Sequence, residues 1–77
     1  MSAAKVTRRR TPKGAPFTVT AYPGVWVVAT AAGSVEVRRA YVHEAGRVLY
    51  VSLGSRQTFG TLREVAEFLI EWAEVGA

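Results

Sequence analysis

The 77-residue chain contains no cysteine, no aspartate and no asparagine, and it has a single histidine, His43. Without cysteine, the chain has neither disulfide bonds nor thiolate metal sites. A lone histidine holds zinc only with several carboxylate partners. A catalytic triad needs a nucleophile, a base and an orienting acid, and nothing in the sequence marks a nucleophile. We therefore expect no metal, no cofactor and no enzymatic activity.

Long apolar runs are missing as well. The longest run, residues 25–29, falls far short of the roughly 20 residues that span a bilayer. The basic N-terminus is not followed by the apolar segment of a secretory signal. These absences favour a cytoplasmic protein without a membrane partner. Arginine outnumbers lysine eight to two, a bias that favours a GC-rich genome such as that of a bacterium, a phage or a plasmid.

The positive charge is concentrated at the N-terminus. The formal net charge is +4, yet residues 1–16 alone carry five cations and no acid. Residues 17–60 are mildly basic, and residues 61–77 hold one arginine against four glutamates. Because residues 1–16 lack apolar periodicity and end in a stretch containing Pro12, Gly14 and Pro16, we predict a flexible basic arm there. Residues 17–77 are expected to form one domain.

Alternating apolar and polar residues predict the β-strands of this domain. Short links such as Pro23-Gly24 are typical of hairpin turns, so neighbouring strands should be antiparallel. Residues 54–58 are expected to form a polar loop before the helix. The four predicted strands cover residues 17–22, 25–30, 35–43 and 47–53.

The alternation predicts which side chains face the core. In the first strand Phe17 and Val19 share one face. In the third strand Arg39 falls on the face of Val35 and Val37, so either a bulge resets the phase or the strand extends past the core edge. For the fourth strand, the expected inward residues are Leu49, Val51 and Leu53, and the expected outward residues are Val48, Tyr50 and Ser52.

The C-terminal segment has the pattern of an amphipathic helix. Thr61 is a good N-cap, and Glu64 three residues later completes a capping box. Gly76 ends the helix. The chain is thus predicted to be an α+β protein, a four-stranded antiparallel meander packed on one face by a single C-terminal helix. This outline is similar to the transcriptional-coactivator single-strand-binding fold, in architecture only, and no site residue carries over from it.

Two groups of residues predict nucleic-acid binding, with DNA favoured over RNA. The first is the basic arm, because adjacent arginines such as Arg8 and Arg9 bind consecutive phosphates and basic arms enter minor grooves. The second is the outer sheet face, where aromatic side chains stack on bases. That face is expected to hold Thr18, Thr20, Tyr22, Trp26, Thr30, Arg38, Tyr50 and Ser52, although Trp26 fits the core equally well. The candidate contacts are Lys5, Arg8, Arg9, Arg10, Lys13, Trp26, Arg38, Arg39, Arg47, Tyr50 and Arg56.

An alternative hypothesis is a protein-interaction module, such as a modulator of a host protein. The helix carries more apolar surface than one small sheet needs, and the surplus suits a partner chain or a homodimer. An open sheet edge would serve the same purpose. The candidate interface residues are Phe68, Ile70, Trp72 and Val75.

Overall fold

Six antiparallel strands and one helix make up residues 4–76, the part of the chain that the computed structural model describes. Each strand pairs with the next along the chain, so the sheet is a meander in the order β1 to β6. The elements are β1 (Lys5–Arg10), β2 (Pro16–Tyr22), β3 (Val25–Thr30), β4 (Gly33–Val42), β5 (Arg47–Ser52), β6 (Thr58–Phe59) and α1 (Leu62–Gly76). The α+β class is confirmed, while the expected four strands are two too few.

The first additional strand is β1, which lies in the segment predicted to be a flexible arm. Residues 5–10 pair in continuous register with β2, from Lys5 opposite Ala21 to Arg10 opposite Pro16. Apolar alternation is absent from this strand because every side chain of β1 is exposed. Backbone hydrogen bonds hold such an edge strand, and its cations discourage further strands from pairing with it. Residues 1–3, also assigned to the arm, lie outside the described part.

The turn between β1 and β2 is fixed by the buried Thr11. The Thr11 amide donates to the Ala15 carbonyl at 2.9 Å, and the Gly14 amide donates to the Thr11 carbonyl at 2.8 Å. The Thr11 hydroxyl accepts from the Ala15 amide at 3.1 Å. Gly14 has φ of 88°, a conformation that glycine adopts without strain. These bonds hold β1 beside β2.

The helix covers one face of the sheet, here called the helix-covered face. Phe17 and Val19 of β2 point towards it, as predicted, and they form the core with Val28, Val37, Val65 and Ala66. Val28, Val37 and Val65 are completely buried. The opposite face, here called the open face, has no helix across it in the described part of the chain.

The register of β4 decides between the two alternatives for Arg39. Val37 to Val42 pair one by one with Ser52 to Arg47, without an inserted residue. Arg39 and Tyr41 therefore stay on the face of Val35 and Val37, and the strand extends past the edge of the core. The strand ends at Val42, one residue before the predicted end.

The predicted orientation of the fourth strand, β5, was wrong. Ser52 lies opposite Val37 and Tyr50 lies opposite Arg39, which puts both on the helix-covered face. Ser52 is buried there, and its hydroxyl group is hydrogen-bonded to that of Ser55 at 2.8 Å. Leu49 is on the open face opposite Ala40 and is nevertheless buried. An alternating strand in which both faces carry apolar side chains does not reveal its phase, so pairing with β4 determines it.

The helix begins as predicted. The Thr61 hydroxyl accepts from the Glu64 amide at 3.2 Å, and the Glu64 carboxylate accepts from the Gly60 amide at 3.2 Å. The first bond satisfies an amide that the first turn leaves without a helical partner, and the second holds the residue before the N-cap. Thr58 and Phe59, expected in or beside a loop, form the short strand β6 against Val51 and Tyr50.

Candidate nucleic-acid interface

The three consecutive arginines of β1 point to different faces. Arg8 lies opposite Thr18 and Arg10 opposite Pro16, on the open face, whereas Arg9 lies opposite Phe17 on the helix-covered face. The Arg9 guanidinium stands over the Phe17 ring, 5.9 Å from its centroid. The Arg10 guanidinium donates to the Gly14 carbonyl at 3.0 Å. The cluster therefore divides into two open-face cations and one that packs on an aromatic ring.

Four arginines lie on the open face, along a line that we call the open-face diagonal. Arg10 and Arg8 occupy one corner on β1, Arg38 lies on β4, and Arg47 begins β5 near the opposite corner. All four are exposed, and Glu36 is the one acidic residue that the described strands place on this face. Because a sheet spaces strands by about 4.8 Å and residues by about 3.3 Å, Arg8 and Arg38 are roughly 20 Å apart.

The surface between these arginines consists of short side chains. Thr18 pairs with Ala29, and Thr20 pairs with Val27. Ala29 in turn pairs with Ser34 on β4. All of these except Ser34 are half-buried. The open face is thus a low floor from which the arginines project.

The expected stacking residues are not on this face. Trp26 lies opposite Val37, on the helix-covered face, and packs against the core. Its ring meets that of Tyr50 edge to face, with centroids 5.5 Å apart. The Arg39 guanidinium stands 5.7 Å from the Tyr50 centroid. Of the eight residues predicted on the outer face, Thr30 and Ser52 are also on the helix-covered side, while Thr18, Thr20, Tyr22 and Arg38 are on the open face.

The remaining candidate cations lie elsewhere. Lys5 lies opposite Ala21 and so belongs to the helix-covered face of β1. Lys13 lines a cleft beside the helix with Glu67, Glu71 and Glu74. Arg56 is in the turn between β5 and β6, with φ of 59°. The structure therefore brings Arg8, Arg10, Arg38 and Arg47 to one face. The cations that it places on the helix-covered side are Lys5, Arg9, Lys13 and Arg39.

The N-terminus of the helix, near Arg56 in sequence, is already occupied by a carboxylate of the chain itself. The Glu64 carboxylate accepts from the Gly60 amide and lies 3.5 Å from the Thr61 hydroxyl. This carboxylate occupies the position in which a phosphate would meet the free amides of a helix. The open face is therefore the better place for a phosphate than the start of α1.

The candidate interface residues of the helix do not form one surface. Phe68 packs edge to face on Phe59, with centroids 5.5 Å apart. Trp72 and Val75 follow Phe68 at helical spacing and are 69% and 85% exposed. Ile70 instead lines the cleft that contains Thr11, Lys13 and Ala15. We call Phe68, Trp72 and Val75 the helix flank.

The acidic groups are concentrated on one side of the sheet, while cations lie on both. The helix carries Arg63 against Glu64, Glu67, Glu71 and Glu74, and Lys5, Arg9, Lys13 and Arg39 lie on the same side. The strands of the open face carry four arginines against Glu36. The open face therefore has the larger excess of positive charge. Alternation along β1 and β4 was the signal that could have divided the arginines between the faces, but the phase of the exposed β1 was not evident from its sequence.

Comparisons with protein-family models, with curated proteins and with solved structures give no match to this chain. Within residues 4–76, no helix has the length and apolarity needed to cross a membrane. The same residues bring together no group of three or more histidine, aspartate or glutamate side chains that could hold a metal ion. Function must therefore be argued from the geometry of the two faces.

Proposed function

We propose that this chain is a small nucleic-acid-binding protein that meets its ligand with β1 and the open face of the sheet. The observation that carries the proposal is the open-face diagonal, Arg8, Arg10, Arg38 and Arg47, opposed on that face by Glu36. Arginine presents a planar fork of donors that suits phosphate oxygens. Four exposed guanidinium groups on one face give a polyanion several contacts at once, and each contact releases counterions.

The position of the helix glutamates supports the same proposal. The helix packs on the other face of the sheet, so its four glutamates repel an anion on the open face only weakly. Charges separated by more than a Debye length, about 10 Å at 0.1 M salt, are largely screened from each other. A ligand on the open face therefore meets a basic surface although residues 61–77 are acidic.

The test compares two double variants that remove the same charge. Arg8→Gln/Arg10→Gln removes two cations from the open face, and Arg39→Gln/Arg63→Gln removes two from the other side of the sheet. Binding of labelled DNA is measured by fluorescence anisotropy at 0.1 M salt. The first variant should lose affinity on the order of 50-fold, as expected for two phosphate contacts, while the second stays within about threefold of the wild type.

Equal losses in the two variants would show that net charge alone drives binding and would contradict an interface on the open face. Circular dichroism of both variants checks that they are folded. Arg8 and Arg10 are exposed at the sheet edge, so their replacement should leave the fold intact.

A second candidate function, a protein-interaction module, is favoured by the helix flank. Trp72 and Val75 are large apolar side chains that remain mostly exposed, and exposed apolar patches mark interaction sites. A second copy of the chain is the simplest partner to test. Sedimentation velocity of the wild type and of Trp72→Ala/Val75→Ala separates the cases: a dimer that the variant abolishes supports this function, and a wild-type monomer removes the second copy as the partner.

A further inference from the structure

We infer that the open face binds the sugar-phosphate backbone of a duplex and does not read bases. This inference rests on the proposed function and names the form of its ligand. It follows from the arginines of the open face and from the position of most aromatic rings on the helix-covered face. Proteins that bind single strands place aromatic side chains where unpaired bases stack on them.

The open face is poorly supplied with such rings. Among the described residues, Tyr22 is its one aromatic side chain, and it lies at the end of β2 beside the Pro23-Gly24 turn. Trp26, Tyr50 and Phe59 are on the helix-covered face, where they pack against the core. An unpaired base on the open face would therefore meet threonine, alanine and valine and would gain little stacking energy.

The arginines suit a backbone better. A duplex carries one negative charge per about 1.7 Å of its axis, twice the density of one strand. The diagonal crosses a molecule whose longest dimension is 36 Å, which is close to one turn of duplex, about 34–36 Å. Arg8 and Arg10 at one corner and Arg38 and Arg47 towards the other can then contact phosphates that are well separated along one ligand.

The short side chains of the open face are consistent with a duplex bound through its backbone. Threonine, alanine and valine side chains do not protrude beyond the arginines, so the duplex surface can come close to the sheet. The helix packs on the other face of the sheet and so does not reach a ligand on the open face. Base edges lie inside the grooves, and the major groove admits a helix or a two-stranded ribbon, whereas the open face belongs to a six-stranded sheet. The open face is thus fitted to contact phosphates without sequence preference.

The experiment titrates the full-length protein against labelled duplexes of about 6, 10 and 16 base pairs, each in two unrelated sequences, and against each single strand. If four phosphates are contacted, log affinity should fall with log salt with a slope of about −3.6, which is roughly a 100-fold loss between 50 and 200 mM. We expect the two sequences to agree within about twofold. Affinity should rise up to about 10 base pairs, and the duplex should bind more tightly than either strand.

Tighter binding of a single strand, accompanied by quenching of tryptophan fluorescence, would overturn the inference while leaving the proposed function standing. A difference of tenfold or more between the two duplex sequences would overturn it as well. Absence of binding to every nucleic acid at 50 mM salt would overturn the proposed function itself, and the inference with it. The Arg8→Gln/Arg10→Gln variant adds an internal check, since its salt slope should be smaller by about 1.8.

Discussion

The helix-covered face and the open face are built from alternate residues of the same strands, yet their arginines have different surroundings. On the helix-covered face, Arg9 and Arg39 stand over the rings of Phe17 and Tyr50. On the open face, Arg8 and Arg38, their neighbours in sequence, are exposed above short side chains. All four arginines are exposed, so the members of an adjacent pair differ in the face they occupy and in whether they contact a ring. Because they divide between two faces, the number of arginines in the sequence exceeds the number on any one face.

The aromatic residues show the same contrast. Two edge-to-face ring pairs lie on the helix-covered face, Trp26 with Tyr50 within the sheet and Phe59 with Phe68 between the sheet and the helix, each with centroids 5.5 Å apart. Edge-to-face pairs of this kind add about 0.5–1.5 kcal/mol each beyond the burial of their area. These ring contacts therefore stabilise the helix-covered face, and neither of them lies on the open face. If the open face binds the ligand as proposed, stability and binding should respond to different residues.

The largest effect is expected for Phe17→Ala, on the helix-covered face. Phe17 is buried and contacts the core, so its truncation should cost about 3–5 kcal/mol. A chain of this length has a total stability of about 4–12 kcal/mol, and the variant should be largely unfolded or lose most of its thermal stability. Urea denaturation followed by circular dichroism measures the change in free energy.

The neighbouring residue provides the control for that change. Thr18→Ala alters the open face one residue further along β2 and should cost less than about 1 kcal/mol. If Thr18→Ala destabilised the chain as much as Phe17→Ala, the open face would be a second core, and its role as a binding surface would have to be abandoned.

The sequence was sufficient for the fold class and for part of the core. Phe17 and Val19 alternate with threonines, so the phase of β2 was evident, and Thr61 with Glu64 marked the start of the helix. The edge strands were harder to predict from the sequence. β1 exposes every side chain and β6 has two residues, so neither has the apolar alternation by which a strand is recognised.

The candidate site depended on strand phase, which is why only part of it was predicted. Both faces of β5 carry apolar residues, so the sequence did not show which face is inward. Tyr50 was predicted on the outer face, whereas it lies on the helix-covered face. β3 is apolar throughout, so the position of Trp26 was undecided until pairing with Val37 fixed it. The register between two strands decides which side chains face the core, and the sequence of one strand without a polar face does not reveal it.

An intermediate effect is expected for the two tryptophans. Trp26→Ala removes a half-buried ring that packs on the core and on Tyr50, and it should cost about 2–3 kcal/mol, somewhat less than a fully buried aromatic. Trp72→Ala removes a ring that is 69% exposed, and it should change stability by less than about 0.5 kcal/mol.

Urea titration of both variants at two protein concentrations checks this pair. A large, concentration-dependent loss for Trp72→Ala would mean that the helix flank is buried in an oligomer, because oligomer stability depends on protomer concentration. The contrast between the faces would then have to include a second copy. Equal small losses for the two variants would contradict the position of Trp26 against the core.

Small changes in stability, and the sharpest test of the comparison, are expected for Arg38→Gln and Arg39→Gln. The two residues are adjacent, and each variant removes one positive charge, so the effect on net charge is identical. Arg39→Gln should cost about 0.5–1 kcal/mol, because its guanidinium leaves the Tyr50 ring, and DNA affinity should be unchanged. Arg38→Gln should leave stability within about 0.5 kcal/mol and lower DNA affinity on the order of 10-fold at 0.1 M salt. Urea denaturation and anisotropy on the same preparations measure both quantities. If the two variants lost affinity equally, the ligand would respond to the charge of the strand as a whole, and the face to which an arginine points would not determine its role.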